Sequence, residues 1–334
     1  MRSHATSPGT AIEPKIRRAL PRLYAWYRKS HRPLPWRTRP TPYRTAVAEF
    51  MCQQTRISTV IPYYRRWLKF FPSWKHLARA PAAKVLRMWE GLGYYRRARF
   101  LHALAKTVVR LPRKALPPDP QALRSLPGIG DYTAGAIASI AFGMPAPAFD
   151  GNVARVLGRL TARKGKAPSL ALLRDLAGRI VPVKNPGLHN QALMELGALI
   201  CLPQTPRCSL CPILRVCPSS SRLPLAPSRK NAAPSFQQEY ILLPRRNGKV
   251  WLTQTHPQGR WRGLSFLPVI SRPPTGKPRM KIAYPFTRYL VQAAVFISEE
   301  PPSGMAGKWV GPAQLRRVAL PAPHRKILRR LGFD

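Results

Sequence analysis

Acidic residues are what this chain has least of: 12 Asp plus Glu stand against 57 Lys plus Arg among 334 residues, a formal net charge of +45. A chain so basic attracts polyanions through counterion release, which makes DNA or RNA the default partner. The charge does not locate a site, because residues 1–217 hold 37 basic and 8 acidic side chains and residues 218–334 hold 20 and 4. A general basic bias or a solubility effect is the competing explanation for the excess. The scarcity has a second use: an acid embedded in an apolar, helix-like run is more informative here than in an average chain. Long hydrophobic runs are missing too. No stretch approaches the roughly 20 apolar residues of a membrane span, and 1–10 lacks the apolar core of a signal peptide. The expectation is a soluble, cytoplasmic protein with no membrane partner. Internal repeats are lacking as well.

Cysteines number five, and four of them fall in the seventeen residues of Cys201-x6-Cys208-x2-Cys211-x5-Cys217, leaving Cys52 alone in an apolar stretch. Zinc ribbons usually offer two separated C-x-x-C knuckles. One C-x-x-C with outlying cysteines six and five residues away suits a cubane cluster that needs four thiolates. Zinc ligation or disulfides are the alternatives. Free thiolates awaiting a cluster imply a reducing compartment.

Apolar residues recur at helical spacing from Pro14 to Tyr27, with Pro21 as an expected kink. Further helices are expected at 43–54, 58–70, 83–90, 96–110, 132–142, 152–162, 169–180 and 188–200, separated by Pro or Gly. The Pro- and Ser-rich run 218–234 has no hydrophobic period and reads as a linker. Beyond it, 239–244, 249–254 and 289–298 are short β-branched or aromatic runs, and 322–331 has a helical pattern. A mainly α fold follows: a helical domain at 13–217, a linker, and a smaller α+β domain at 235–334.

Three local patterns carry chemistry. The turn Leu126-Pro127-Gly128-Ile129-Gly130 precedes an apolar helix, and its two glycines allow close backbone approach and positive φ, with helix-start amides aimed outward at an anion. Alone, such a turn is more simply a helix–helix connection. Asp150, beside Gly151 and ahead of a helix, is placed to cap that helix. Glu49 lies among Val47, Phe50 and Met51, surroundings that favour a neutral carboxyl suited to donating a proton. A solvated glutamate paired with one of the many arginines is the plainer alternative.

Taken in order, Leu34-Pro35-Trp36-Arg37, Ala48-Glu49-Phe50-Met51-Cys52-Gln53-Gln54-Thr55, Gly91-Leu92-Gly93-Tyr94-Tyr95, the glycine turn, Asp150-Gly151-Asn152-Val153 and the cysteine quartet span residues 30–217 without large gaps. The chain resembles the helix-hairpin-helix DNA glycosylases with an iron–sulfur loop, and within them the MutY-type adenine DNA glycosylases. The resemblance implies a monomeric enzyme acting on duplex DNA, in which it hydrolyses the N-glycosidic bond of adenine mispaired with 8-oxoguanine or guanine. It makes Glu49 the acid that protonates the purine and then the base that activates water. Asp150 becomes the carboxylate that stabilises, or transiently bonds to, the anomeric carbon, with Asn152 helping to hold it and the water. It places Gln54 and Tyr94 in the base stack, Arg32, Trp36, Arg37 and Gln191 near the extruded adenine, and Gly128 and Gly130 at a DNA phosphate. A [4Fe-4S] cluster on Cys201, Cys208, Cys211 and Cys217 would be structural, tying down a loop whose Arg207 and Arg215 face phosphate. Endonuclease III-type relatives place a Schiff-base lysine where this chain has Tyr132, so the resemblance implies a monofunctional enzyme that leaves the abasic site uncut. A mismatch thymine glycosylase of the same superfamily and a non-catalytic lesion-binding protein are the alternatives.

The C-terminal region resembles the Nudix-like, MutT-like module with which MutY-type enzymes read 8-oxoguanine. Residues 259–268, Gly-Arg-Trp-Arg-Gly-Leu-Ser-Phe-Leu-Pro, echo one family strand, and Phe286-Thr287-Arg288 stands where the family has Phe-Ser-His. Thr287 replaces the serine hydroxyl, but arginine replaces histidine and the module is shortened. The only acids after the linker are Glu239, Glu299, Glu300 and Asp334, which argues against pyrophosphatase activity.

Overall fold

A computed structural model describes residues 12–162, 168–218, 235–286 and 289–333. Its helices are α1 (Glu13–Ser30), α2 (Pro42–Cys52), α3 (Ile57–Phe70), α4 (Trp74–Arg79), α5 (Ala82–Trp89), α6 (Arg96–Val108), α7 (Pro120–Arg124), α8 (Asp131–Phe142), α9 (Gly151–Thr161), α10 (Leu170–Ile180), α11 (Pro186–Leu199), α12 (Pro312–Leu315) and α13 (Ala322–Arg330). Its strands are β1 (Ser235–Arg246), β2 (Lys249–Thr253), β3 (Val269–Ile270), β4 (Met280–Phe286), β5 (Tyr289–Ser298) and β6 (Gly307–Val310). The expected linker 218–234 lies outside the described residues beyond Pro218. None of the described helices is long and apolar enough to cross a membrane.

The chain divides into two compact units, one built on 12–65 and 103–218, the other on 66–102 and 235–333. The first is helical. Ile16, Leu20 and Leu23 of α1 are buried with Val153, Val156, Leu157 and Leu160 of α9, Leu173, Leu176 and Ile180 of α10, and Leu193 and Leu196 of α11. Each such side chain contributes about 1.5–3 kcal/mol of transfer free energy. Helix α1 keeps Pro21 inside it and runs on as one element. Around α8 the packing is tighter because the residues are small: a Cβ on Gly135 would stand 1.9 Å from the Pro147 carbonyl oxygen. Helices α7 and α8 form the hairpin expected around the glycine turn.

The second unit holds a six-stranded sheet in the order β4-β5-β1-β2-β6, with β3 on β1. The long β1–β5 pair is parallel and the other pairs are antiparallel. Asn247 and Gly248, both left-handed, close the β1–β2 hairpin, as a two-residue primed turn requires. Strand β4 has no counterpart in the sequence reading because Pro285 breaks its alternation; a proline is tolerated there because β4 lies at the sheet edge. Inside this unit Glu239 is buried and accepts from Arg260 Nη1 at 2.5 Å and from the Tyr284 hydroxyl. The Arg260 guanidinium also lies 4.5 Å from the Phe286 ring centroid.

Candidate active site

Helix α2 starts on Thr41, whose side chain accepts from Arg44 N at 3.2 Å, with Pro42 in its first turn. This start sets the face on which Thr45, Glu49 and Cys52 lie at three- and four-residue spacing, and all three line a cavity of about 300 Å³. The same cavity is lined by Arg32, Trp36 and Arg37 before α2, Tyr132 at the start of α8, Asp150 and Asn152 at the start of α9, and Gln191 and Glu195 on α11. Eight residues singled out from the sequence therefore meet in one place: Glu49, Tyr132, Asp150, Asn152, Arg32, Trp36, Arg37 and Gln191.

Glu49 is enclosed by protein but keeps an edge open to the cavity. Burial pushes its carboxyl from 4.5 up to about 7, and the charge of Asp150 adds to the rise. Opposing this, Tyr132 donates a hydrogen bond to the carboxylate and Arg37 attracts it from farther away. The Tyr132 hydroxyl also lies 3.4 Å from the Met194 sulfur. With one proton to give, it directs that proton to Glu49 when the carboxyl is ionised, since a charged acceptor is far the stronger. Burial, then the charges of Glu49 and Asp150, push the Tyr132 phenol well above its usual range, so it remains a donor.

Asp150 caps α9: its Oδ1 accepts from Val153 N at 2.8 Å, and its Oδ2 accepts from Asn152 Nδ2 at 2.7 Å. Asn152 is fixed in turn, its Oδ1 accepting from Arg155 Nη2 at 2.8 Å. Arg155 also donates to the Gly197 and Cys201 carbonyls at 2.8 and 2.7 Å, so one guanidinium ties the turn at the start of α9 to the end of α11 and the first cysteine. A Cβ on Gly197 would stand 2.5 Å from that of Asn152, so glycine is what lets α11 approach the turn this closely.

The sequence reading passed over Glu195. It is 1 % exposed and accepts hydrogen bonds from Arg32 N, Nε and Nη2 and from Arg37 Nη1 and Nη2 at 2.8–3.2 Å. Burial alone would raise its carboxyl, but the Arg32 and Arg37 hydrogen bonds outweigh that and hold it down near about 2. The signal was available: it is a rare acid in an apolar helix, four residues after Gln191. Gln191 is oriented by Tyr27, whose hydroxyl donates to its Oε1 at 3.2 Å. Trp36 packs edge-on to Tyr64 at 5.2 Å, and the buried Thr45 hydroxyl has no hydrogen-bond partner among the described residues.

Other expected residues lie elsewhere. Gln54 and Tyr94 are both exposed and both left-handed, with φ of 54° and 46°. Tyr94 and Phe286 line a different cavity, within the second unit. Thr287 and Arg288 lie outside the described residues. Of the hairpin glycines only Gly128, at φ 75°, uses the left-handed freedom expected of both. Gly130 caps α8 at φ −98°, a conformation open to any residue.

The four clustered cysteines form no disulfide among the described residues, and Cys201, Cys208 and Cys217 lie near enough to Cys211 to act on its ionisation. Burial pushes the Cys211 thiol up to about 11, opposed by a hydrogen bond from the Ile213 amide. Arg159 Nη1 donates to Cys201 Sγ at 3.2 Å. Among the described residues no three His, Cys, Asp or Glu side chains converge on a point as a single metal ion requires. Four neighbouring thiols, of which Cys201 and Cys211 receive N–H donors, suit a larger inorganic group with separate corners.

The profile of the HhH-GPD superfamily base excision DNA repair proteins matches residues 47–180. The human adenine DNA glycosylase is 36% identical over 331 residues, covering 89% of this chain and 59% of that protein. The adenine DNA glycosylase of Buchnera aphidicola is 34% identical over 254 residues, covering 74% of this chain and 72% of that protein. Among solved structures, a thermostable thymine-DNA glycosylase superposes with a TM-score of 0.57 at 26% identity, over 61% of this chain and 96% of that one. The chain spans about three fifths of the length of the human, rat and mouse relatives it matches. The helical glycosylase fold, the match across most of the chain and the cavity that brings Glu49 and Asp150 together agree: the chain belongs to the adenine DNA glycosylase family.

Proposed function

We propose that this chain is a monofunctional glycosylase that hydrolyses the N-glycosidic bond of adenine opposite 8-oxoguanine or guanine in duplex DNA, the opening step of base excision repair. One observation carries the reading: Glu49, a carboxyl raised to about 7 so that a large share holds its proton near neutral pH, shares a small cavity with a second, Asp150, whose two oxygens are fixed by donors. Adenine is a poor leaving group, and its departure leaves an oxocarbenium-like sugar, so the reaction needs a proton donor and a negative charge. Glu49 delivers the proton to the purine as the bond breaks. Asp150, held by Asn152 and Val153 N, faces the positive charge that develops on the sugar. The Glu49 carboxylate, now accepting from Tyr132, takes a proton from the attacking water and returns to its neutral form. Tyr132 has no amine with which to form a Schiff base, so the abasic strand stays intact.

The target base must leave the stack at a cost of a few kcal/mol. Gln54 and Tyr94 enter the gap, a role their exposure and left-handed backbones support. Trp36, Gln191 and the Arg32–Arg37–Glu195 cluster receive the adenine. Cys201, Cys208, Cys211 and Cys217 would hold a [4Fe-4S] cluster, which contributes a structural cross-link because the hydrolysis transfers no electron. Gly128 and Gly130 offer backbone to a DNA phosphate. Residues 13–217 form the catalytic domain, and 235–334 form the shortened Nudix-like module, in which Phe286 and Thr287 read the oxidised base.

Likeness to a thymine-DNA glycosylase keeps mismatch thymine removal as the second reading. Duplexes carrying A opposite 8-oxoguanine, A opposite G, T opposite G and A opposite T, heated in alkali after incubation, separate the two. Cleavage at A in the first two only is expected. Cleavage at T, or tight binding without any cleavage, overturns the proposal. Borohydride trapping of the protein on DNA would refute the monofunctional assignment.

A further inference from the structure

We propose that Glu90 is a positioning residue for Tyr94: it clips the loop that carries this ring to Leu320 and Arg325, so that the tyrosine is aimed before DNA arrives. The proposal rests on the reading of Tyr94 as a residue that fills the gap in the base stack. Left to itself the loop has no reason to keep its shape. Of the four residues 91–94, Gly91, Gly93 and Tyr94 have φ of 103°, 71° and 46°. Glycine bears such values at little cost, whereas a bulky residue keeps one only where its surroundings over-determine it. Tyr94 keeps it while 51 % exposed, so packing of its own ring is not what holds the backbone.

The hold comes from both sides of the loop. Ahead of it, the Glu90 side chain is only 7 % exposed. Its Oε1 accepts from Arg325 Nε at 2.7 Å, its Oε2 accepts from Leu320 N at 3.1 Å and from Arg325 Nη2 at 3.2 Å, and Arg87 Nη1 lies 3.1 Å from Oε2. After the loop, the Tyr95 hydroxyl donates to the Leu320 carbonyl at 3.0 Å. The N–H and the C=O of one buried residue, Leu320, are thus both taken by the two residues that bracket 91–94. Arg325 is fixed in turn, since it also donates to the Leu315 and Val318 carbonyls at 3.0 and 2.7 Å. Nearer the ring, Trp89 Nε1 and Arg97 Nη2 donate to the Gly93 carbonyl at 3.0 and 3.2 Å, and the Arg97 guanidinium stands 5.5 Å from the Tyr94 ring centroid. Those local contacts set the shape of the turn but not its direction within the second unit. Glu90 and Tyr95 set the direction, by reaching residues more than two hundred positions away. A buried carboxylate held by guanidinium and backbone donors is a stiff anchor, and a ring presented in a fixed direction has little freedom left to lose on entering the stack.

The test is a double-mutant cycle on the full chain. The duplex carries A opposite 8-oxoguanine with 2-aminopurine as the neighbouring base, whose fluorescence rises when the stack opens. Glu90→Gln should slow both the fluorescence rise and single-turnover excision by at least about fivefold and up to about a hundredfold, the cost of a small misplacement. Tyr94→Ala should slow both by at least as much. Adding Glu90→Gln to it should slow them no further, because the carboxyl acts through the ring. Tyr95→Phe, which removes the hydroxyl that reaches Leu320, should slow both in the same direction, and it decides the matter if Glu90→Gln does not melt cooperatively. An ion pair that only stabilises the unit would lower the melt and add in full to Tyr94→Ala. That additivity, or wild-type rates in Glu90→Gln and Tyr95→Phe while Tyr94→Ala is slow, would overturn the proposal. Wild-type rates in Tyr94→Ala would instead overturn the reading of Tyr94, and the proposal with it.

Discussion

Replacing Glu49 with glutamine separates the chemistry of the carboxyl from the cost of burying it. Burial moves this group from 4.5 to about 7. At about 1.4 kcal/mol per pH unit, its ionised form is less stable in the folded protein by about 3 kcal/mol. The sign follows from the direction: the folded state holds the proton more tightly than the unfolded one. The contribution of this group to stability is therefore complete below about 4.5 and is lost as pH rises through about 7. Glu49→Gln has no charge to bury. Its stability should match wild type near pH 5 and exceed it by up to about 3 kcal/mol near pH 8.5, measured by urea denaturation followed by circular dichroism. Excision by the variant should fall by about a hundred- to ten-thousandfold near pH 5, with a smaller gap near pH 8.5 where wild type has lost its own proton, while duplex binding stays largely intact. Wild-type single-turnover excision should itself decline above about pH 7 as the donor loses its proton. A variant no more stable than wild type at pH 8.5, or a wild-type rate that rises steadily from pH 6 to 9, would refute the reasoning.

Arg155→Lys keeps the charge but cannot donate at once to Asn152, Gly197 and Cys201; kcat should drop at least about tenfold with KM little changed in steady-state excision assays. Glu239→Ala leaves Arg260 buried beside an unpaired Tyr284, and chemical denaturation should show a loss of about 3–5 kcal/mol. Thr45→Val removes a buried hydroxyl that has no partner, so the urea midpoint should hold or rise, by about 1 kcal/mol at most. Gly197→Ala forces a Cβ to 2.5 Å from that of Asn152, and should lower both thermal stability and excision rate, whereas Gly130→Ala, with open space around it, should spare both.

Helices with a clear apolar period were legible from the sequence to within a few residues, because α2, α8, α9 and α11 are long enough to repeat it. Helices α4 and α7, six and five residues long, were not: neither completes two turns. The capping role of Asp150 was readable from its place before Gly151, and the structure shows the cap. The partners of Asn152 were not readable, because Arg155 reaches across to Gly197 and Cys201, over forty positions away. The same limit applies to 66–102, whose helices have a clear local pattern while Arg325 Nε donates to Glu90 at 2.7 Å across more than two hundred positions. Periodicity reports which face of an element is buried, not against what.

Net charge is a poor guide to the state of any one group here. With +45 overall, a uniform field would hold every carboxylate low. Yet two acids lining one cavity differ widely, Glu195 at about 2 and Glu49 at about 7. Burial pushes both upward, so burial does not separate them. What separates them is contact: Glu195 receives five hydrogen bonds from Arg32 and Arg37, whereas Glu49 is hydrogen-bonded by a phenol and feels Arg37 only from farther away. A guanidinium brings a full positive charge to the carboxylate along with its N–H donors, which a neutral phenol does not. Glu195 therefore does more than balance two arginines. By engaging both it keeps their hydrogen bonds from Glu49, whose carboxyl stays at about 7 within a chain of net charge +45.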